Sequence, residues 1–227
     1  QIFISMWAEY ICENIPDSTI LQINTDGITF KLPKKYKDKM LSLSDEITSR
    51  CNLTYEMNEY DKMVIRDVNN YSARYIDGKI KHKGDFEIDR ELHKDPSMKI
   101  VRIALENYFF KGIPIADTIN NHNNIYDFCL RLRTNKGSSA HFKYINNGQV
   151  KLHKLTKTTR YYMSKSGGIL EKNFSDKIVG VNVGYTATLF NNYEEKEMKD
   201  YNINYNFYIT EARKIIDQIE DKQLTLF

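Results

Sequence analysis

The 227-residue sequence has no uninterrupted apolar run of eighteen residues, and Glu9, Glu13 and Asp17 interrupt the apolar residues of its first twenty. That stretch therefore reads as neither a membrane span nor a cleaved signal peptide, and a soluble, cytoplasmic protein is expected. Cysteine is scarce: Cys12, Cys51 and Cys129 are odd in number, far apart and in no Cys-x-x-Cys pair. They form no disulfide framework or zinc ribbon and are expected as buried apolar filler in a reducing compartment. The histidines at 82, 93, 122, 141 and 153 lack zinc spacing, no glycine-rich phosphate loop occurs, and Ser166-Gly167-Gly168 reads as a turn without a nucleophile elbow. Internal repeats and low-complexity linkers are also absent. What is present is 41% hydrophobic residues, with 16 Tyr and 11 Phe, enough for a real core and for interfaces that are part apolar and part wet.

Charge is segregated beneath a formal net value of +3. From Arg131 to Lys172 ten basic residues face Glu171 alone, a balance of +9, whereas Ala187 to Lys222 sums to −3. Over a Debye length of about 8 Å a partner feels the local sums. Phe142, Tyr144, His153, Tyr161 and Tyr162 interleave with the basic block, a mixture suited to phosphate contacts plus stacking on a polyanion. The plainer alternative is a solvated lysine-rich surface.

Apolar spacing predicts a helix from Gln1 to Asn14, with Ile2, Phe3, Met6, Trp7, Tyr10, Ile11 and Ile15 as its buried face, ending before Pro16. Residues 19–32 read as a hairpin in which Asp26-Gly27 supplies the positive φ of the turn and Leu21, Ile23, Ile28 and Phe30 are placed for burial. A helix over 34–51 and strands near 54–60, 62–67 and 71–76 are expected to extend the hairpin into one antiparallel sheet. Lys79, Lys81 and Lys83 then alternate along one strand face. The texture changes near Asp95, where a domain boundary is placed. Helices follow near 100–111 and 115–121, then mixed strands and turns through the basic block. A last helix near 206–220 has Phe207, Ile209, Ala212, Ile215, Ile216 and Ile219 as its buried stripe.

An acidic residue at a hairpin tip is a rigidly presented carboxylate, suited to a Mg²⁺ that must also meet substrate phosphates. Asp26 is that residue, although an isolated Asp-Gly step is usually only a turn.

The surrounding residues add context. Ile23-Asn24-Thr25-Asp26-Gly27-Ile28 resembles the Asp-Thr-Asp-Ser motif on the strand-turn-strand of the palm of family B DNA polymerases. The segments Tyr60 to Tyr71 and Gly78 to Glu87 are similar to the primer-holding palm of phage members of that family. Thr158-Thr159-Arg160-Tyr161-Tyr162, Ser166-Gly167-Gly168 and Tyr205 to Ile216 resemble their thumb, so the likeness is collinear over essentially the whole chain.

The resemblance implies an α+β fold: an antiparallel palm sheet with packed helices over 1–95, a mixed, largely helical duplex-binding thumb over 96–222, and a tail over 223–227. It implies a template-directed DNA polymerase, a nucleotidyltransferase of phage replication in an infected bacterial cell. Two Mg²⁺ ions would serve phosphoryl transfer from deoxynucleoside triphosphates to a primer end. Asp26 matches the metal-ligating, catalytic carboxylate, with Asn24, Thr25 and Gly27 as motif neighbours. Tyr71 matches the tyrosine of the Lys-x-Tyr motif at the primer end. Asn24 replaces the first motif Asp and Asn69 the motif Lys, for which Lys79, Lys81 and Lys83 are the nearest substitutes. Lys154, Lys157, Arg160 and Tyr161 are expected on primer-template DNA.

The family's Asp-x-x-Ser-Leu-Tyr-Pro motif, its triphosphate-binding helix motif and the acidic motifs of a proofreading exonuclease do not occur in this chain. All precede the Asp-Thr-Asp-Ser motif in the family. The chain, which opens on Gln1, is accordingly expected to be the C-terminal piece of something longer or one half of a split enzyme, inactive alone and partnered by an N-terminal polymerase portion. Gln223-Leu224-Thr225-Leu226-Phe227 resembles the pentapeptide that docks bacterial polymerases into the sliding clamp, with Gln223 as a polar hook and Leu224, Leu226 and Phe227 as apolar anchors. The alternative is a non-catalytic, clamp-tethered module that grips duplex DNA, in which Asp26 is only a turn.

Overall fold

A computed structural model describes residues 2–90, 97–192 and 195–224, the last four of these by backbone only. The fold is α+β with antiparallel sheets, and the chain divides into two compact units, Gln1–Lys81 and His82–Phe227.

In the first unit, helix α1 (Ile2–Asn14) stops before Pro16, and Asp17 at φ 60° turns the chain into the hairpin β1 (Thr19–Ile23) and β2 (Ile28–Lys31). Ala8, Ile11 and Ile15 of the predicted stripe's side are buried, while Ile2 and Met6 are exposed. Helix α2 (Lys37–Arg50) lies against α1: Trp7 Nε1 donates to Ser44 Oγ at 3.2 Å, and Tyr10 Oη donates to Glu46 at 3.0 Å. Strands β3 (Tyr60–Asp67), β4 (Asn70–Tyr75) and β5 (Ile80–Lys83) form a separate sheet in that order. The hairpin β1–β2 remains its own two-stranded sheet, so the single extended sheet expected from the sequence is not formed.

The division falls inside β5, ahead of the position near Asp95. The reason lies in the residues after Lys81, which are held by the second unit's own contacts: His82 reaches Glu106, and Lys99 reaches Asp89. The second unit contains α3 (Lys99–Lys111), α4 (Ile115–Asn120) and α5 (Tyr205–Leu224), which pack on one another. Gly112 ends α3 at φ 69°, the left-handed position that a glycine occupies without a Cβ penalty.

It also contains two antiparallel sheets, which makes it mixed rather than largely helical. The order is β12-β9-β6 in one and β11-β10-β7-β8 in the other. Their strands are β6 (Leu130–Arg133), β7 (Ser139–Asn146), β8 (Gln149–Lys154), β9 (Thr158–Ser164), β10 (Ile169–Asn173), β11 (Ile178–Val181) and β12 (Thr186–Leu189). Between β9 and β10 the chain changes sheet through Gly167-Gly168, and Gly168 and Ala187 exchange backbone hydrogen bonds of 3.0 and 2.8 Å. At the centre of the unit the Tyr208 hydroxyl donates to the Phe128 carbonyl at 2.8 Å and accepts from the Met163 amide at 2.9 Å.

Candidate functional site

The hairpin turn is closed by the Asn24 amide on the Gly27 carbonyl at 2.8 Å, which leaves Thr25 and Asp26 as the two central, exposed residues. Asp26 accepts from Thr25 Oγ1 at 3.5 Å, so its carboxylate remains available to solvent. Two sequence expectations are corrected here. None of the four turn residues has a positive φ, and a Cβ on Gly27 would meet nothing within 4 Å, so this glycine is not required by the turn. Nor are Leu21 and Ile23 buried: both are 37% exposed, whereas Gln22 is 8% exposed. A register shift between Ile20 and Gln22 breaks the simple alternation, and strand alternation names two faces without choosing the inner one.

Beneath the tip the inner side is polar. Gln22 Nε2 donates to Thr29 Oγ1 at 3.4 Å, while Gln22 Oε1 and Asn24 Oδ1 are buried with no hydrogen-bond partner among the described residues. Hard oxygen donors of this kind suit a magnesium ion. They are too few for a pair of ions, and no group of three or more His, Cys, Asp or Glu side chains comes together among the described residues. Asp26 thus supplies one carboxylate, and the residues described do not by themselves fit a two-metal centre.

On the β3–β4 sheet, Tyr71 is buried at 8% exposure, on the same side as Ala73 and Tyr75. Tyr75 sits opposite Tyr60 with ring centroids 4.8 Å apart. Burial, and after it the hydrogen bond with Tyr75, pushes the Tyr60 phenol well above its ordinary value. Asn69 is exposed in the β3–β4 turn, and its amide donates to Asp67 Oδ1 at 3.0 Å. Asn70 Nδ2 adds bonds of 2.8 and 2.9 Å to the same carboxylate, which fixes the turn that precedes Tyr71. Lys79 and Lys83 are exposed and Lys81 is half-buried, and Lys79 pairs with Asp77 at 3.4 Å.

In the second unit the predicted DNA-facing residues separate. Lys154 is exposed on β8 and Lys157 in the following loop, while Arg160 lies half-buried on β9 of the other sheet, opposite Arg131. Tyr161 is 3% exposed, and its hydroxyl accepts from Asn182 Nδ2 at 2.9 Å. It is a core residue rather than a stacking platform, because β9 is the central strand of its sheet and carries Tyr161, Tyr162 and Met163 into the interior.

Two features escaped sequence reasoning. One is a cleft of about 410 Å³ where His153, Tyr162, Thr188, Asn191 and Lys196 meet, drawn from strands too distant in sequence to signal it. The other is the exposure of β8 along its whole length. At the C-terminus α5 continues through Leu224, so Gln223 and Leu224 are helical in backbone, and Leu226 and Phe227 lie outside the described residues. No described helix is long and apolar enough to cross a membrane. No protein-family model, curated protein or solved structure matches the chain.

Proposed function

We propose that the chain is the C-terminal palm and thumb portion of a phage-type family B DNA polymerase. In this reading Asp26 contributes one of the carboxylates that hold magnesium, the β3–β5 sheet lies at the primer end, and the basic second unit grips the duplex. The reading is carried by an exposed carboxylate on a closed two-residue turn, inside a segment that resembles the family's metal-binding motif. The remaining magnesium ligands and the triphosphate-binding helix would belong to the N-terminal polymerase portion. The chain alone would bind primer-template DNA without extending it. The terminal pentapeptide would tether the enzyme to a bacterial sliding clamp, with Gln223, Leu224, Leu226 and Phe227 as its contacts.

The test is primer extension by the complete polymerase carrying Asp26→Ala. Loss of a metal ligand, worth several kcal/mol of transition-state stabilisation, should slow extension by about a thousandfold or more, with duplex affinity preserved. Extension at near wild-type rate would overturn the assignment.

A second reading, a non-catalytic duplex grip, is favoured by the lack of further carboxylates grouped with Asp26 among the described residues. Under that reading the Asp26 variant leaves every activity of the complete protein unchanged, while duplex affinity still falls steeply with salt. Deleting residues 223–227 should abolish clamp binding and processivity but spare distributive synthesis; unchanged clamp binding would remove the tether.

A further inference from the structure

β10 stops at Ile169 opposite Lys143, so the outer half of β7 pairs with β8 alone. From Tyr144 to Lys151 the chain is a two-stranded ribbon, closed by Asn147 and Gly148 at φ 50° and 77°. These are the two positive-φ residues of a tight hairpin whose twist matches its strands. All six residues of β8 are exposed, and β8 is the edge of its sheet.

The ribbon carries an apolar patch on one side. Ile145 stands directly opposite Val150, and Leu152 follows on the same side opposite Lys143; their exposures are 74%, 63% and 59%. Scattered exposed aliphatics are ordinary, but a directly opposed pair with a diagonal neighbour is a contiguous surface at a free edge, where uncovered apolar strands invite association. Lys143 and Lys154 border it on the same face, Lys151 lies opposite Tyr144 on the other face, and none of the three forms an ion pair among the described residues. A partner that satisfies both features has regularly spaced negative charge bordering a surface that offers apolar contacts, such as the thymine methyl groups of a major groove. Duplex DNA has this form, with phosphates lining a groove about 12 Å wide that admits a two-stranded ribbon, and base edges and sugars as its floor and walls.

We propose that the β7–β8 ribbon is an arm that enters the major groove of the bound duplex. Ile145, Val150 and Leu152 lie against the base edges, and Lys143 and Lys154, on the same face, lie on the bordering phosphates. The proposal rests on the duplex-binding part of the function proposed above and names the element and face that do the gripping.

The experiment measures binding of the full chain to a fluorescein-labelled duplex by anisotropy across a salt series. It compares the wild type with I145S/V150S and with K143A/K154A, each first checked by circular dichroism for an unchanged melt. The lysine variant should flatten the slope of log affinity against log salt by about 2, at about 0.9 for each phosphate that is no longer neutralised. The serine variant should weaken binding about tenfold at unchanged slope, as expected for apolar contacts worth a little over 1 kcal/mol. Methyl green, a major-groove ligand, should displace the wild type, and netropsin, a minor-groove ligand, should not. Ribbon variants that bind like the wild type, or displacement by netropsin instead, would overturn the ribbon while leaving duplex binding intact. A wild-type chain that does not bind duplex would overturn the duplex reading and the ribbon together. Wild-type dimers dissolved by I145S/V150S at unchanged DNA affinity would reassign the patch to an interface between copies.

Discussion

His82 Nε2 lies 2.9 Å from Glu106 Oε2, which ties the end of β5 to α3 within the second unit. Lys111 Nζ reaches the other oxygen of the same carboxylate at 2.9 Å. Burial raises the Glu106 carboxyl, but the bonds from Lys111 and His82 outweigh it and hold the group below the ordinary glutamate value of 4.5. A depressed carboxyl pKa stabilises the fold above the unfolded value, and that contribution fades as pH falls through the folded one. Thermal melts should therefore lose stability below about pH 4.5. Glu106→Gln should lower stability at pH 7 by about 1 to 3 kcal/mol and flatten the acid side of the profile. An unaltered acid limb in the variant would show that the carboxylate does not anchor β5.

Tyr208 is fully buried, and its hydroxyl serves a carbonyl on one side and an amide on the other. Removing it leaves two backbone groups in the core without partners. Tyr208→Phe should cost about 2 kcal/mol or more, read as a lower urea midpoint at unchanged slope.

Two glycines should respond in opposite ways to alanine. A Cβ on Gly168 would collide with the Lys143 carbonyl and come within 2.7 Å of the Phe142 ring, where β10 passes between sheets. Gly168→Ala should destabilise by about 1 to 3 kcal/mol, as overpacking does. Gly27→Ala meets open space at an ordinary φ and should stay within about 0.5 kcal/mol of wild type in the same denaturation series.

The cysteines should separate by exposure. Cys51 is exposed, contrary to its expected role as buried filler, Cys12 is intermediate, and Cys129 is buried with its thiol pushed up to about 12 by desolvation. Timed labelling with a thiol-specific disulfide reagent should modify Cys51 first and Cys12 more slowly. Cys129 should react only on unfolding, because the thiolate is the reactive form.

Sequence alone determined where the long helices run. The apolar spacing of α1, α3 and α5 is a local property, and Pro16 and Gly112 mark two of the helix ends. The turn at Asn146-Asn147-Gly148 and the exposed carboxylate of Asp26 were legible for the same reason, since turn chemistry acts over a few residues. Tertiary structure decided which side of β1 faces inward, placing Gln22 inside and Leu21 out, because alternation is symmetric until something packs against one face. It also decided that β10 pairs with β7 and that β9 lies between β6 and β12, which buried Tyr161 and left β8 at an edge. Those pairings join strands far apart in the chain, and the closure of such long loops leaves no local trace in sequence.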